Sequence, residues 1–186
     1  MEKRYIFDAD THVSPYSNFD KSINACQWEE RMERAGVAHA IVWLLPQGVV
    51  DVTESNRYIG REAQKNKRMV PFGWANIREG AEKAREDARL CLEEYGCAGV
   101  KLNGAQNEYY IDCPEAMSVM EVVAARNGMI AFHIGADYPD FTDPIRAERA
   151  ARAFPDTKFL MVHMGGAGEP DVSQRVIETA ARNPNM

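Results

Sequence analysis

The sequence predicts an α/β fold of the TIM-type (β/α) barrel class, holding about six of the eight strand-helix units that such a barrel contains. Three features predict it. Apolar runs alternate with helical patterns along all 186 residues, the order that builds a parallel sheet. The clearest run, Ala38 to Pro46, is nearly continuous, as expected for a strand covered on both faces. Finally, three of the four histidines, His12, His133 and His163, fall near the carboxyl ends of predicted strands. A barrel gathers those ends at one rim, whereas an open doubly wound sheet would spread strands one, five and six apart.

The first strand closes on Asp8-Ala9-Asp10-Thr11-His12. Val13 to Asp20, rich in Ser, Pro and Asn, reads as a loop. Ser22 to Gly36 has helical spacing through Ile23, Trp28, Met32 and Ala35, with Gly36 as the stop. Strand two, Ala38 to Pro46, is followed by a helix over Val52 to Lys67 and by strand three over Met69 to Ile77. The helix Gly80 to Tyr95 carries Ala84, Ala88, Leu92 and Tyr95 on one stripe, and Gly96 lies just beyond it. Strand four spans Cys97 to Asn103, and the rhythm repeats: helix Pro114 to Asn127, strand Met129 to Ala136, helix Pro144 to Phe154, strand Lys158 to Met164, helix Val172 to Arg182. No linker or internal repeat divides the chain, so residues 1–186 are expected to form one domain.

Composition narrows the function. A net charge of -6 with scattered Lys and Arg argues against a nucleic-acid surface. The four cysteines form no CxxC pair, which suits a reducing cytoplasm. Tyr5-Ile6-Phe7 is too short an apolar stretch for a signal peptide or a membrane span. The expectation is a cytoplasmic protein acting on a small-molecule substrate, without nucleic-acid or membrane partners.

Side chains of a strand alternate faces, so Asp10 and His12 leave the same side of the first strand. A carboxylate and an imidazole together suit a divalent cation but are too few to hold one. In strand five, Ile130, Phe132 and Ile134 oppose His133; in strand six, Leu160, Val162 and Met164 oppose His163; in strand four, Val100 and Leu102 oppose Lys101. If the large apolar faces pack on outer helices, Asp10, His12, Lys101, His133 and His163 all turn inward. One strand histidine is usually just a hydrogen-bonded rim residue; three at matching depth point to a site. His39, at the start of strand two, is read as structural.

These motifs resemble the amidohydrolase superfamily. Asp8-Ala9-Asp10-Thr11-His12 is similar to its Asp-x-His-x-His strand, and Gly99-Val100-Lys101-Leu102, Phe132-His133-Ile134-Gly135 and Val162-His163-Met164-Gly165-Gly166 resemble the later strands of its amidohydrolase-related branch of metal-dependent hydrolases and non-oxidative decarboxylases. The resemblance implies that Asp10, His12 and His133 bind one divalent metal ion, zinc first, with manganese or magnesium as alternatives, and that His163 is the catalytic acid/base or holds the substrate. Asp10 stands where many members have histidine, which makes the site harder and shifts it toward manganese or magnesium.

The family barrel has eight strands, the last ending in a metal-site aspartate. A full barrel takes about 250 residues, so the sequence is expected to be truncated at its carboxyl end relative to the family. The open edges of six strands favour association, and a homo-oligomer is expected. The implied activity is hydrolysis or decarboxylation of a small carboxylated or cyclic substrate, a lactone or an aromatic acid. A catalytically inactive α/β module with a role in association is the alternative. Lys101 is read either as the group that binds a substrate carboxylate or as the partner of a neighbouring acid. The loop Gly104 to Cys113, with Tyr109 and Tyr110, is read either as a cover of the site or as ordinary surface. The run Gly165-Gly166-Ala167-Gly168 lacks the GxGxxG spacing of a nucleotide cradle and is read as letting a loop pass close to the pocket.

Overall fold

Six strands lie side by side in the order in which the chain makes them: β1 (Phe7–Val13), β2 (His39–Leu44), β3 (Met69–Trp74), β4 (Gly99–Leu102), β5 (Met129–His133) and β6 (Phe159–Val162). Every neighbouring pair is parallel. The order never reverses, as a doubly wound sheet must, so each crossover advances the sheet by one strand and the sheet curls into part of a (β/α) barrel. The computed structural model describes residues 5–15, 23–44, 52–135, 137–166 and 169–186. The ends of the predicted second and fifth strands (45–46 and 136), most of the 13–20 loop, Ser22 and the Ala167-Gly168 half of the glycine run lie outside the described residues.

Helices α1 (Ala25–Ala35), α2 (Thr53–Lys65), α3 (Ala81–Glu93), α4 (Gly104–Asn107), α5 (Pro114–Ala124) and α6 (Pro144–Ala153) fill the crossovers, and α7 (Pro170–Arg182) follows β6. Their ends follow local chemistry. Asn24 caps α1 by accepting the Gln27 N–H, while the Gln27 side chain accepts the Asn24 N–H, the reciprocal arrangement that satisfies two orphan donors. Gly36, at φ 68°, ends the same helix in the left-handed region. Proline opens α5, α6 and α7, where its missing N–H costs nothing.

Two layers of side chains sandwich the sheet. On the outside, Val100, Leu102, Ile130, Phe132 and Ile134 pack with Ala84, Ala88, Val119, Met120 and Ala147 from the helices. On the inside, Ile41, Trp43, Phe72, Ala131 and Val162 form a second cluster. The interior below the rim is therefore filled with apolar side chains, as barrel interiors are. Gly99 sits where a methyl group would come within 2.4 Å of the Met129 carbonyl oxygen and 2.5 Å of the Phe72 ring. Main chain cannot step aside, so Gly99→Ala is expected to lower stability by about 3 kcal/mol, measured as a shift of the urea midpoint.

The structure shortens several of the predicted strands: the fourth spans Gly99–Leu102 rather than Cys97 to Asn103, and the fifth ends at His133. The third strand stops at Trp74 rather than Ile77, because the Asn76 side chain accepts the Arg78 N–H and starts a 3-10 turn over Ile77–Glu79. The sixth stops at Val162, and His163–Gly165 form another 3-10 turn.

The face assignment of β6 is also corrected. His133 is paired with Val162 and Ala131 with Leu160, and paired residues of parallel strands share a face. Leu160 and Val162 therefore face the interior with His133, while Phe159 and Met161 face the helices with Ile130 and Phe132. Strict alternation would send His163 outward. It does not go there, because the backbone turns over at that point.

Candidate active site

Asp10 and His12 reach the rim from β1 across an irregularity in its register with β2, between Asp8 and Thr11. Both side chains meet the indole of Trp43. Its N–H donates to Asp10 Oδ1 at 2.8 Å and also approaches His12 Nε2 at 3.3 Å. His12 Nδ1 donates to the Leu44 carbonyl at 2.6 Å, which fixes the tautomer and leaves the lone pair on Nε2, facing the Trp43 N–H and 3.5 Å from Asp10 Oδ1. Burial, followed by the Lys101 charge, pushes the His12 imidazole down to about 4. At neutral pH it is uncharged, the form in which imidazole can ligate.

Lys101 rises from β4 on the same interior face and is 1% exposed. Its Nζ lies 3.9 Å from the centre of the Trp43 ring, 5.4 Å from that of Trp74 and 3.9 Å from Asp10 Oδ1. Two indole faces and one carboxylate therefore receive a cation taken out of water. The acid nearest to Lys101 is Asp10. Burial lowers its pKa to about 8, against the opposing pull of Asp10.

The sign of the consequence is definite. Between pH 8 and 10.5 the unfolded chain still holds the lysine proton that the folded chain has released, so stability rises with pH over that window and is flat outside it. Relative to Lys101→Met, the wild type is expected to gain about 3 kcal/mol across it, read from urea unfolding at stepped pH.

His133 and His163 complete the rim. His163 has φ 72° and Met164 φ 50°, left-handed values that cost non-glycine residues about 1–2 kcal/mol each. This turn brings the His163 ring back over the interior. Its Nδ1 stands 3.2 Å from Asp10 Oδ2 and its ring packs edge-on against that of His133, with centroids 4.6 Å apart. Burial holds His163 below the ordinary imidazole value, and the neighbouring His133 and Lys101 add to this against Asp10. Gly165, at φ 95°, leaves room for α7: a Cβ there would fall 2.6 Å from the Ser173 nitrogen. His133, 8% exposed, directs Nε2 to Asp137 Oδ1 at 2.9 Å.

All five predicted site residues thus come from distant points of the chain to one rim. Among the described residues, no three His, Cys, Asp or Glu side chains are drawn together closely enough to hold a metal as they stand. Asp10 closes on His12 and His163, and His133 joins through His163. The donor chemistry nevertheless fits a divalent cation: one carboxylate, with His12 and His133 each anchored through one ring nitrogen.

Trp43, which supplies the N–H to Asp10, and Asp137, which holds His133, were not legible as site residues. Within the 104–113 loop, Tyr109 is buried and Tyr110 is 45% exposed. Helix α4 of that loop lies over Trp74, whose indole N–H donates to Asn107 Oδ1 at 3.1 Å. His39 contacts the Tyr5 hydroxyl at 2.8 Å at the opposite end of the sheet.

The family model described as Amidohydrolase matches residues 29–186, a span that begins after Asp10 and His12. No curated protein matches the sequence. Among solved structures, 2,6-dihydroxybenzoate decarboxylase from Rhizobium superposes with a TM-score of 0.67 at 15% identity, over 92% of this chain and 70% of that one. A probable 2-pyrone-4,6-dicarboxylic acid hydrolase from Acinetobacter baumannii, with citric acid bound, gives 0.63 at 13% identity over 95% and 66%. A dihydroxybenzoic acid decarboxylase from a Polaromonas species, with bound manganese and the inhibitor 2-nitroresorcinol, gives 0.63 at 17% over 90% and 67%. The chain therefore spans about two thirds of the length of each, and at these identities the likeness is one of fold. Among the described residues no helix is long and apolar enough to cross a membrane.

Proposed function

Since the chain belongs to the amidohydrolase family, we propose that its rim site removes carbon dioxide from a small carboxylated aromatic acid, with a divalent cation held by Asp10, His12 and His133. The observation that carries this reading is the convergence of His163 on Asp10 at 3.2 Å, with the His133 ring against it. When bound, the cation would supply Lewis-acid polarisation of the substrate's oxygens; the hard carboxylate of Asp10 suits manganese or magnesium as well as zinc.

The chain's own residues divide the remaining work. Trp43 and Lys101 hold Asp10 in place, the first by a hydrogen bond and the second as a buried counter-charge. The apolar layer of Ile41, Phe72, Ala131 and Val162 lies on the inner face beneath the rim. His163, partly open to solvent, takes up a proton with Asp10 at 3.2 Å to support its imidazolium against the effect of burial, and passes that proton to the ring carbon that carries the carboxylate. The carbon-carbon bond then breaks, its electron pair returns to the ring, carbon dioxide leaves, and His163 regains its proton from water.

Hydrolysis of a lactone is the competing reaction on the same scaffold, since fold does not fix chemistry. The observation behind decarboxylation is that Asp10 is already occupied by Trp43, His163 and Lys101, which suits it to hold charge rather than to take a proton from water. A panel of hydroxylated benzoates and a panel of lactones, assayed with added Mn²⁺, distinguishes the two. Release of carbon dioxide from the benzoates is expected; turnover of lactones alone, or of neither panel, would contradict the proposal.

We propose as well that copies of the chain associate, because Val70, Met129 and Leu160 of the inner face are only partly covered. Light scattering that returned the mass of a single chain would contradict this.

A further inference from the structure

The two histidines proposed as ligands are anchored in different ways. His12 is held by main chain: Nδ1 donates to the Leu44 carbonyl, and the lone pair on Nε2 faces the Trp43 N–H. His133 is held by a side chain four residues ahead of it in the loop after β5: Nε2 faces Asp137 Oδ1 at 2.9 Å. A carboxylate can only accept, so Nε2 carries the proton of this hydrogen bond.

The space for this pair is made by a missing side chain. A Cβ on Gly135 would lie 2.7 Å from Asp137 Oδ1 and 3.3 Å from His133 Nε2, inside the contact distance of the first and crowding the second. Tyr138, the next residue after Asp137, has φ 52° in the left-handed region. It stacks on Phe141 with centroids 6.1 Å apart.

We propose that Asp137 is a positioning residue of the cation site: seated over the bare Cα of Gly135, its carboxylate grips His133 through Nε2 and fixes the orientation of the imidazole that would help to hold the cation. This inference rests on the metal reading given above. Its chemistry is that of a carboxylate behind a ligating imidazole, which fixes the ring orientation and raises the basicity of the ligating nitrogen. Asp137 is half exposed, so the pair does little for the fold. Its effect should be felt in affinity and hardly at all in stability.

The experiment titrates Mn²⁺ into the purified protein and follows the free aquo ion by electron paramagnetic resonance, with the melting temperature of each metal-free variant recorded alongside. Asp137→Ala is expected to weaken binding roughly 10- to 100-fold and leave the melting temperature where it was. Asp137→Asn, which keeps a neutral acceptor, should fall between wild type and Asp137→Ala. Gly135→Ala should displace the carboxylate and reproduce the loss, and the double variant should be no worse than either single one, because both act through one contact.

Three results would overturn the inference: wild-type affinity in Asp137→Ala, losses of Gly135 and Asp137 variants that simply add, or weakened binding that only accompanies a fall in melting temperature. Wild-type protein that bound no Mn²⁺ would sink the metal reading and this inference together, whereas tight binding untouched by Asp137→Ala would sink this inference alone.

Discussion

Replacing His12 and His133 together by alanine is expected to strip the protein of its divalent cation. Protein purified without chelator should carry close to one metal ion per site by elemental analysis, and the double variant should carry none. The reason is the donor count: one carboxylate cannot retain a cation against water once both imidazoles are gone. The fold should survive the change. His12 is partly exposed, and His133, though 8% exposed, is bonded to a half-exposed loop carboxylate rather than to the core. Metal content unaltered by the double substitution would place the cation elsewhere.

His163→Asn carries the second large effect. It keeps a polar side chain at the turn, and asparagine tolerates the left-handed backbone of φ 72° found there. It cannot shuttle a proton, so turnover of the responsive benzoate is expected to fall by about 10²- to 10⁴-fold while Mn²⁺ affinity stays near that of wild type. Loss of metal together with turnover would make His163 a ligand instead. Unchanged turnover would remove it from the chemistry.

The alternation of strand and helix was legible because each element is long enough to show its period and punctuated by Gly36, Gly96, Pro114 and Pro144. The rim was legible because histidines are few and fall at strand ends. The facing of β6 was not. It has only four residues, Phe159 to Val162, apolar on both sides, because the barrel interior beneath the site is as hydrophobic as the helix-facing surface. Alternation then carries no signal, and only the pairing of His133 with Val162 sets the register.

His163 reached the predicted rim by a route opposite to the one expected. Two errors of parity cancelled: its strand faces the other way, and consecutive left-handed residues, which no propensity announces for histidine and methionine, turn the ring back. Trp43 was hidden in a continuous apolar run, where its N–H acquires meaning only once Asp10 stands 2.8 Å away. Asp137 lies in a loop with no period at all. Its signal is the small residue two positions before it, Gly135, and that becomes readable only when the space a side chain would fill is known.

The central claim is that Asp10, His12 and His133 share one cation. Pulsed electron paramagnetic resonance of the Mn²⁺-loaded protein tests it most directly, since nitrogen nuclei bound to the ion modulate the spin echo. Modulation from two imidazole nitrogens is predicted, with one lost in His12→Ala and the other in His133→Ala; a spectrum free of histidine nitrogen, or one that persists in the double variant, would contradict it.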